Sequence, residues 1–470
     1  MLEKNDVEMI EVSEDKLALE SQVDPAVEKR MVRKIDIRLL PITALIYLLC
    51  YLDRSNIGNA KILNSSSGDT MVETNNMTNY QFTVALMVFL VAYSIFEAPS
   101  NLALKVISPN KWIGFLVIAF GALCAGIAGT HNFAGVTALR FFLGAAEAGS
   151  FPGLIFYFSL WYKQEERATR IAAFLCSATL AGAFGGALAY SVGHMNGAGG
   201  LEGWRWLFIL EGCLTAVVGI FVFFFLPSYP EQASWLTPEE KRLQRDRLGI
   251  NAGQSEEKKL NWAEIKDCLT TWRLYVHYLI YMGAGVTVAS LSLFSPTIVA
   301  GLGYKDLQAQ LFTVPPYAVA YVVTFITAMI SDHYKSRGFV AGISCVIAGV
   351  AFLIQAALPG TAYTVRYVFL IIATSGVFGG LPSLCAWVGD NVRTSTAGSL
   401  STALNIAFSG PGQIIGVWIY RSQDKPFYRL GHAVNAAFIL MSGVLSFGLM
   451  MYYRRLNKKM VGTSEQRWIA

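Results

Sequence analysis

The sequence predicts an all-α membrane protein with twelve transmembrane helices in two six-helix bundles. Of its 470 residues, 54% are hydrophobic and only 15% are charged, whereas a soluble protein carries about 25% charged residues. Twelve apolar segments follow one another, and each is long enough to cross a bilayer. One long polar insert, residues 227–271, separates the first six segments from the last six. This layout is typical of a secondary transporter built from two related halves.

The twelve predicted spans divide the chain into five regions. Their bounds are 38–62, 80–103, 112–130, 133–159, 168–194, 204–226, 272–299, 309–331, 339–358, 364–389, 397–420 and 430–453. The regions are an N-terminal tail 1–37, a first bundle 38–226, the central loop 227–271, a second bundle 272–453 and a C-terminal tail 454–470. Residues 1–28 are acidic and polar without an apolar core, so we expect a disordered tail and no cleavable signal peptide.

Lysine and arginine are concentrated on one side of the predicted bundle. Five lie between residues 29 and 38, seven in the central loop and five after the last span. Because cytosolic loops hold the excess of positive charge, we expect both termini in the cytosol and the protein in the plasma membrane. The first loop of the opposite side carries two glycosylation sequons, at Asn64 and Asn76. Each lies within a few residues of a span, so the sequence leaves their occupancy open.

The first span contains an acid and a base side by side, Asp53 and Arg54. The uncharged run 39–52 covers only about 21 Å as a helix, short of a hydrocarbon core of about 30 Å. A spanning helix must therefore continue through the pair. The alternative is a helix that ends at Leu52, with both charges among the lipid headgroups. Charges inside a membrane cost at least about 2.5–3.5 kcal/mol each on insertion scales and usually serve function.

Neighbouring residues on a helix point about 100° apart, so Asp53 and Arg54 cannot share one role. Arg54 shares its face with Tyr47 and Tyr51. Asp53 shares its face with Cys50 and is predicted to point at a neighbouring helix.

Span 4 holds a second set of charges, Arg140 and Glu147. Seven residues make nearly two turns, so the two side chains lie on one face about 10 Å apart. Gly144 lies between them and leaves room. For Arg140 the alternative is a position near the cytosolic end of the span, from which its long side chain reaches the headgroups.

Other charged residues are predicted to be structural. Glu211 in span 6 has Arg205 nearby, and we expect an ion pair between them. Asp332 and Arg337 flank the turn between spans 8 and 9, where a pair would lock the two helix ends. Glu97 lies towards the cytosolic end of span 2 and is likewise expected to be structural.

The central loop is predicted to contain short helices. Thr237-Pro238-Glu239-Glu240 has the pattern of a capping box, and Gly249 is a plausible stop. A second short helix is expected from Asn261. We favour a solvated linker for this loop over a regulatory element.

An enzyme, a metal site and an ATP-driven pump are not indicated. The chain has no Walker loop, no HExxH motif and no paired cysteines with metal-ligand spacing. The cysteines lie mostly in apolar runs and are expected to be core residues. His277 lies inside a span without an obvious partner acid, so it too is expected to pack in the core.

Four stretches carry a family resemblance. They are YLDRSNIGNA at 51–60, FEAPSN at 96–101, LRFFLGAAEAG at 139–149 and GWRW at 203–206. With them the chain, over about residues 30–455, resembles the major facilitator superfamily. Within it, the chain is most similar to the anion:cation symporter family and its fungal permeases for allantoate, nicotinate and other vitamins.

The resemblance implies roles for individual residues. Asp53 and Glu147 would carry protons, and Arg140 would tune these acids. The implied substrate ligands are Arg54, Tyr51, Tyr93, Trp387 and Asn405. The Gly-Pro signature of drug/proton antiporters is absent from 176–192, which favours import.

The predicted function is therefore a proton-coupled symporter that imports a small organic anion by alternating access. A monocarboxylate vitamin or an allantoate-like compound would be its substrate. Two alternatives stay open, an exporter of an acidic metabolite and a non-transporting nutrient sensor on the same scaffold. The expected partners are the anion, the proton and the lipid bilayer. We expect a monomer that uses the proton gradient, with no cofactor and no nucleic acid.

Overall fold

Within the residues that the structure describes, twelve membrane helices make up the fold. The computed structural model describes residues 25–248, 266, 269–359, 361–392, 395–460 and 468–469, without some side chains in 98–105, 164–172 and 395–399. The helices are α1 (Pro25–Ala60), α2 (Asn79–Val106), α3 (Pro109–Ile127), α4 (Phe133–Glu147 and Ser150–Trp161), α5 (Gln164–Gly193), α6 (Gly203–Phe225), α7 (Trp272–Gly301), α8 (Asp306–Leu311 and Val314–Tyr334), α9 (Arg337–Ala357), α10 (Tyr363–Asp390), α11 (Ser395–Trp418) and α12 (Arg429–Lys459).

Their length and hydropathy confirm the predicted fold class. In the described part of the chain, eleven spans are long and apolar enough to cross a membrane. The remaining helix, α11, coincides with the predicted span 397–420. The predicted stop at Gly249 and the second loop helix from Asn261 lie outside the described residues.

The first helix, α1, is longer than predicted. It begins at residue 25 instead of 38, so the expectation of disorder is wrong for residues 25–28. Met31, Ile35 and Leu39 are buried at helical spacing, which gives the added turns an apolar stripe to pack. At its other end the helix runs through Asp53 and Arg54. The pair therefore lies inside the helix, and the alternative of a helix ending before it is wrong.

The two halves pack their helices in the same pattern. In the first half α3 packs on α6, α2 on α4 and α1 on α5. In the second half α9 packs on α12, α8 on α10 and α7 on α11, which are the same pairs shifted by six. Between the halves, α1 meets α7, α2 meets α11 and α5 meets α8. Moving each helix of these pairs to its counterpart six helices away gives the same set of pairs. This is expected for two bundles related by an approximate two-fold axis.

The halves are joined on the side opposite to the start of α1 and the end of α12, called the far side here. Asn59 O accepts from Gln310 Nε2 at 3.0 Å. Asp306 Oδ1 accepts from Ser65 Oγ at 2.7 Å and from Ser66 N at 2.8 Å. Among the described residues, hydrogen bonds between the halves lie on the far side or near the middle of the helices. The opposite side is called the terminal side here.

One helix of the central loop, Pro238–Leu248, docks on the first half. It begins with the predicted capping box, in which Thr237 N donates to Glu240 Oε2 at 2.8 Å and Glu240 N donates to Thr237 Oγ1 at 3.2 Å. Glu240 also pairs with Lys34 of α1 at 2.7 Å. Arg247 pairs with Glu28 of α1 at 2.7 Å. The prediction of a solvated linker is therefore wrong for this helix.

Candidate functional site

A cavity lies between the halves near the middle of the helices. Its walls combine aromatic and aliphatic side chains with a small polar set. The polar lining residues are Tyr47, Tyr51, Arg54, Tyr93, Ser94, Glu97, Tyr281, Ser409 and Gln413. An apolar pocket with a few convergent polar groups is the usual form of a small-molecule site.

Arg54 of α1 supplies the positive charge of this wall. Its Nη2 donates to Oε1 of Gln413 on α11. Its guanidinium carbon lies 5.5 Å from the ring centroid of Phe89 and 5.7 Å from that of Tyr93, both on α2. The guanidinium is thus held between two aromatic rings and the second half. Since a guanidinium has five N–H donors, donors remain to hold a carboxylate bidentately.

Two tyrosines with predicted substrate roles lie in the same wall as Arg54. Tyr51 and Tyr93 both line the cavity. The hydroxyl of Tyr51 makes a hydrogen bond to Ser292 Oγ of α7. Three of the five predicted substrate ligands are therefore brought together.

The two predicted proton carriers lie behind α1, away from the cavity. Asp53 is buried, and its Oδ1 accepts from Cys124 Sγ of α3 at 3.3 Å. Glu147 of α4 is also buried, and its Oε2 accepts from Cys50 Sγ of α1 at 3.6 Å. The second oxygen of each carboxylate has no hydrogen-bond partner among the described residues. The two faces of α1 thus separate the cation of the cavity from a buried pair of acids.

Arg140 is fully buried, at 0% exposure, so the alternative in which it reaches the headgroups is wrong. It forms no ion pair within the described part of the chain. Instead its guanidinium carbon lies 4.5 Å from the ring centroid of Phe89. Phe89 therefore contacts the guanidinium groups of both Arg54 and Arg140, and it connects the cavity wall to the region of the acids.

The predicted ion pair between Arg205 and Glu211 is wrong. Arg205 pairs with Glu202 and donates to two backbone oxygens, one of them Thr130 O at 2.9 Å. Both oxygens of Glu211 are buried without a hydrogen-bond partner among the described residues. The cause is helical geometry, because residues six apart on α6 point about 120° away from each other.

Trp387 and Asn405 do not line this cavity, so the structure does not bring them together with Arg54. The indole Nε1 of Trp387 donates to Ile469 O at 2.9 Å, and its ring packs edge-on against His277. The backbone carbonyl of Ile469 thus takes up the hydrogen-bond donor of this tryptophan. Asn405 is buried beside the lining residue Ile406, and its side-chain amide has no hydrogen-bond partner in the described residues. His277 packs in the core, as expected.

The turn between α8 and α9 brings Asp332 and Arg337 together. Arg337 Nη1 donates to Asp332 Oδ1 at 2.7 Å, and Arg337 also pairs with Asp390 at the end of α10. The sequence did not indicate Asp390 as a partner. The guanidinium of Arg337 therefore joins the end of α8, the start of α9 and the end of α10.

The two sequon asparagines differ in their surroundings. Asn64 Nδ2, the atom that a glycan would modify, donates to Gly193 O at 3.1 Å. Asn76 is exposed. Of the two, Asn76 is the more accessible to modification.

Six polar residues of the cavity were not predicted to bind substrate, namely Tyr47, Ser94, Glu97, Tyr281, Ser409 and Gln413. Gln413 and Tyr281 carry no sequence signal of their own, although the Gly-Pro-Gly at 410–412 marks the region before Gln413. Glu97 was expected to be structural, but it lines the cavity. Its position in a charged motif inside a span was the signal that could have found it.

Two similar bundles around a central cavity define a membrane transporter of the secondary type. The family model described as Major Facilitator Superfamily matches residues 43–417. The chain belongs to this superfamily.

Its relatives include fungal transporters. The chain is 48% identical over 444 residues to "MFS transporter prlL" of Fungal sp. (strain NRRL 50135), with 94% of this chain and 90% of the relative covered. It is 29% identical over 433 residues to the "High-affinity nicotinic acid transporter" of Saccharomyces cerevisiae, with 92% and 79% covered.

Two solved structures share the fold. One is a bacterial homolog of the human lysosomal transporter Spinster, in an inward-facing and unoccupied conformation, with a TM-score of 0.68 at 14% identity over 88% of this chain and 97% of that chain. The other is a D-xylose-proton symporter, with a TM-score of 0.69 at 12% identity over 87% and 96%.

Proposed function

We propose that the protein is a proton-coupled symporter that imports a small organic anion, such as a monocarboxylate vitamin or an allantoate-like compound. The observation that carries this proposal is that Asp53 and Arg54, neighbours on α1, point to different surroundings. Arg54 lines the cavity, whereas Asp53 faces the buried region behind it. A cation for an anionic substrate and an acid for a proton thus sit on one turn of one helix.

The chemistry of the cavity wall supports an anion as the substrate. A guanidinium recognises a carboxylate through two parallel hydrogen bonds, and Arg54 has donors left after its bond to Gln413. Tyr51 and Tyr93 add hydroxyl groups beside it. The relative named a nicotinic acid transporter handles a monocarboxylic acid by its name, which is consistent with this chemistry.

The buried acids support coupling to protons. A neutral carboxyl costs less inside the membrane than a charged one, so Asp53 and Glu147 favour the states in which they hold protons. In this mechanism the anion binds Arg54 and protons bind the acids on the outer side. The halves then close around the loaded site and open on the terminal side, where both are released. The positive charge of the terminal-side loops supports a cytosolic terminal side.

A conservative substitution tests the role of Arg54. Arg54→Lys keeps the charge but loses the bidentate geometry, so we expect carboxylate uptake to fall about tenfold or more while the protein still reaches the membrane. Arg455→Lys, at an exposed position near the end of α12, is the matched control. Labelled carboxylates are screened for uptake into cells that express each variant. Normal affinity in the Arg54→Lys variant contradicts the proposal.

A further inference from the structure

Glu97 is an acid in the cavity wall. It lies on α2 and lines the cavity. Among the described residues it forms no ion pair, and no hydrogen bond satisfies its carboxyl group. Polar groups that are withdrawn from bulk water are normally hydrogen-bonded. A carboxyl group left open towards a cavity is therefore a candidate ligand-binding group.

Glu97 and Arg54 face the same space from different depths. Phe89, Tyr93 and Glu97 follow one another at intervals of four residues, so they form one stripe along α2. Arg54 lies against the first two of these side chains. At a rise of 1.5 Å per residue, Glu97 lies about 6 Å beyond Tyr93 and about 12 Å beyond Phe89 along the helix. The two opposite charges thus face the cavity with a separation of about the length of a small organic molecule.

Aromatic side chains line the same cavity as the two charges. Tyr47 and Phe151 line it from the first half, and Tyr281 and Phe378 line it from the second half. Aromatic side chains favour flat or apolar groups packed against them. The cavity therefore offers a cation, an acid and aromatic surface to one ligand.

We propose that the ligand is amphoteric, with a carboxylate at Arg54 and a protonated amine or N–H donor at its opposite end that binds Glu97. This inference rests on the proposed role of Arg54 and adds the chemistry of the second end. A ligand without that donor leaves the Glu97 carboxyl unpaired once water is excluded. Sites built to hydrogen-bond a substrate reject analogues that lack the matching group for this reason.

Two probes of equal size test the proposal. 4-(Aminomethyl)benzoate carries the terminal amine, and 4-ethylbenzoate replaces it by a methyl group. Binding of each to the purified full-length protein is measured by calorimetry. For the wild type we expect about tenfold or tighter binding of the amine probe, since a charge-assisted hydrogen bond is gained. Glu97→Gln should remove this preference. Glu239→Gln, at an exposed acid of the loop helix, should keep it.

The outcomes separate this inference from the proposed function. Equal binding of the two probes to the wild type overturns the proposal of an amphoteric ligand. In that case, weaker binding of both probes to Arg54→Lys still supports a carboxylate site at Arg54. A preference for the amine that survives in Glu97→Gln also overturns the role of Glu97. If the wild type binds neither probe, both the carboxylate site and this inference are contradicted.

Discussion

Adjacent residues on α1 have different surroundings because a helix turns by about 100° per residue. Arg54 meets Gln413 of the second half, whereas Asp53 meets Cys124 of α3. Substrate and proton groups can then be close in the chain and still have different direct contacts. Phe89 contacts the guanidinium group of Arg54 as well as that of Arg140.

A single glycine sets how closely α1 and α7 approach on the far side. A Cβ added at Gly58 would overlap the backbone carbonyl of Leu293. We expect Gly58→Ala to force the halves apart there, at a cost of about 1–3 kcal/mol. The variant should unfold at a lower temperature in detergent and transport more slowly.

A second glycine serves as the control for that substitution. Gly448 of α12 has open space where a Cβ would be added. Gly448→Ala should therefore leave the unfolding temperature and the uptake rate unchanged. If Gly58→Ala matches it in both measurements, the close approach of α1 and α7 does not matter for the transport cycle.

Among the elements, the loop helix Pro238–Leu248 is held against the first half by ion pairs. Its docking should therefore depend on pH. Partial burial raises the pKa of Glu240, but hydrogen bonds from Lys34 and the backbone of Thr237 outweigh this, so its pKa lies below the usual value. A carboxyl with a lowered pKa stabilises the docked state fully above the pKa of the free group. This stabilisation is lost as the pH falls through the lowered value.

Hydrogen exchange of residues 238–248 measures this docking. After correction for intrinsic rates, we expect protection at pH 7 and clear loss of protection below about pH 4. Glu240→Gln should lower the protection at pH 7 and reduce its pH dependence. Some dependence should remain, because Glu28 and Glu166 hold Arg247 through their own charges. Protection that is equal in the variant and the wild type at both pH values would show that Glu240 does not fasten the helix.

For the whole molecule, the sequence was sufficient to predict the fold class. Hydropathy and the polar insert indicated twelve spans. Apolar segments of this length form helices in a bilayer, because the lipid offers no hydrogen-bond partners and a helix pairs its own backbone groups. The sequence also separated Asp53 from Arg54, since that step needs only the period of one helix. The extension of α1 to residue 25 was missed, because its turns carry only a narrow apolar stripe and are also stabilised by ion pairs with the loop helix and α5.

Contacts between distant segments could not be predicted from the sequence. Gln413 reaches Arg54 from the other half of the chain, a relation that only the packing of the halves reveals. Trp387 was assigned to the substrate by resemblance, but it donates to Ile469 O near the end of the chain. Arg205 of α6 donates to Thr130 O in the loop between α3 and α4, a contact that depends on how α6 packs.

The central claim, that Asp53 and Glu147 couple transport to protons, is tested most directly by comparing accumulation with exchange. Asp53→Asn and Glu147→Gln are reconstituted into liposomes beside the wild type, with Asp246→Asn at an exposed acid of the loop helix as the control. We expect both variants to lose uphill accumulation driven by a pH gradient. Counterflow, which exchanges labelled for unlabelled substrate without net proton movement, should survive in at least one of them. If both variants still concentrate substrate with the pH dependence of the wild type, these carboxylates are structural and the proton path lies elsewhere.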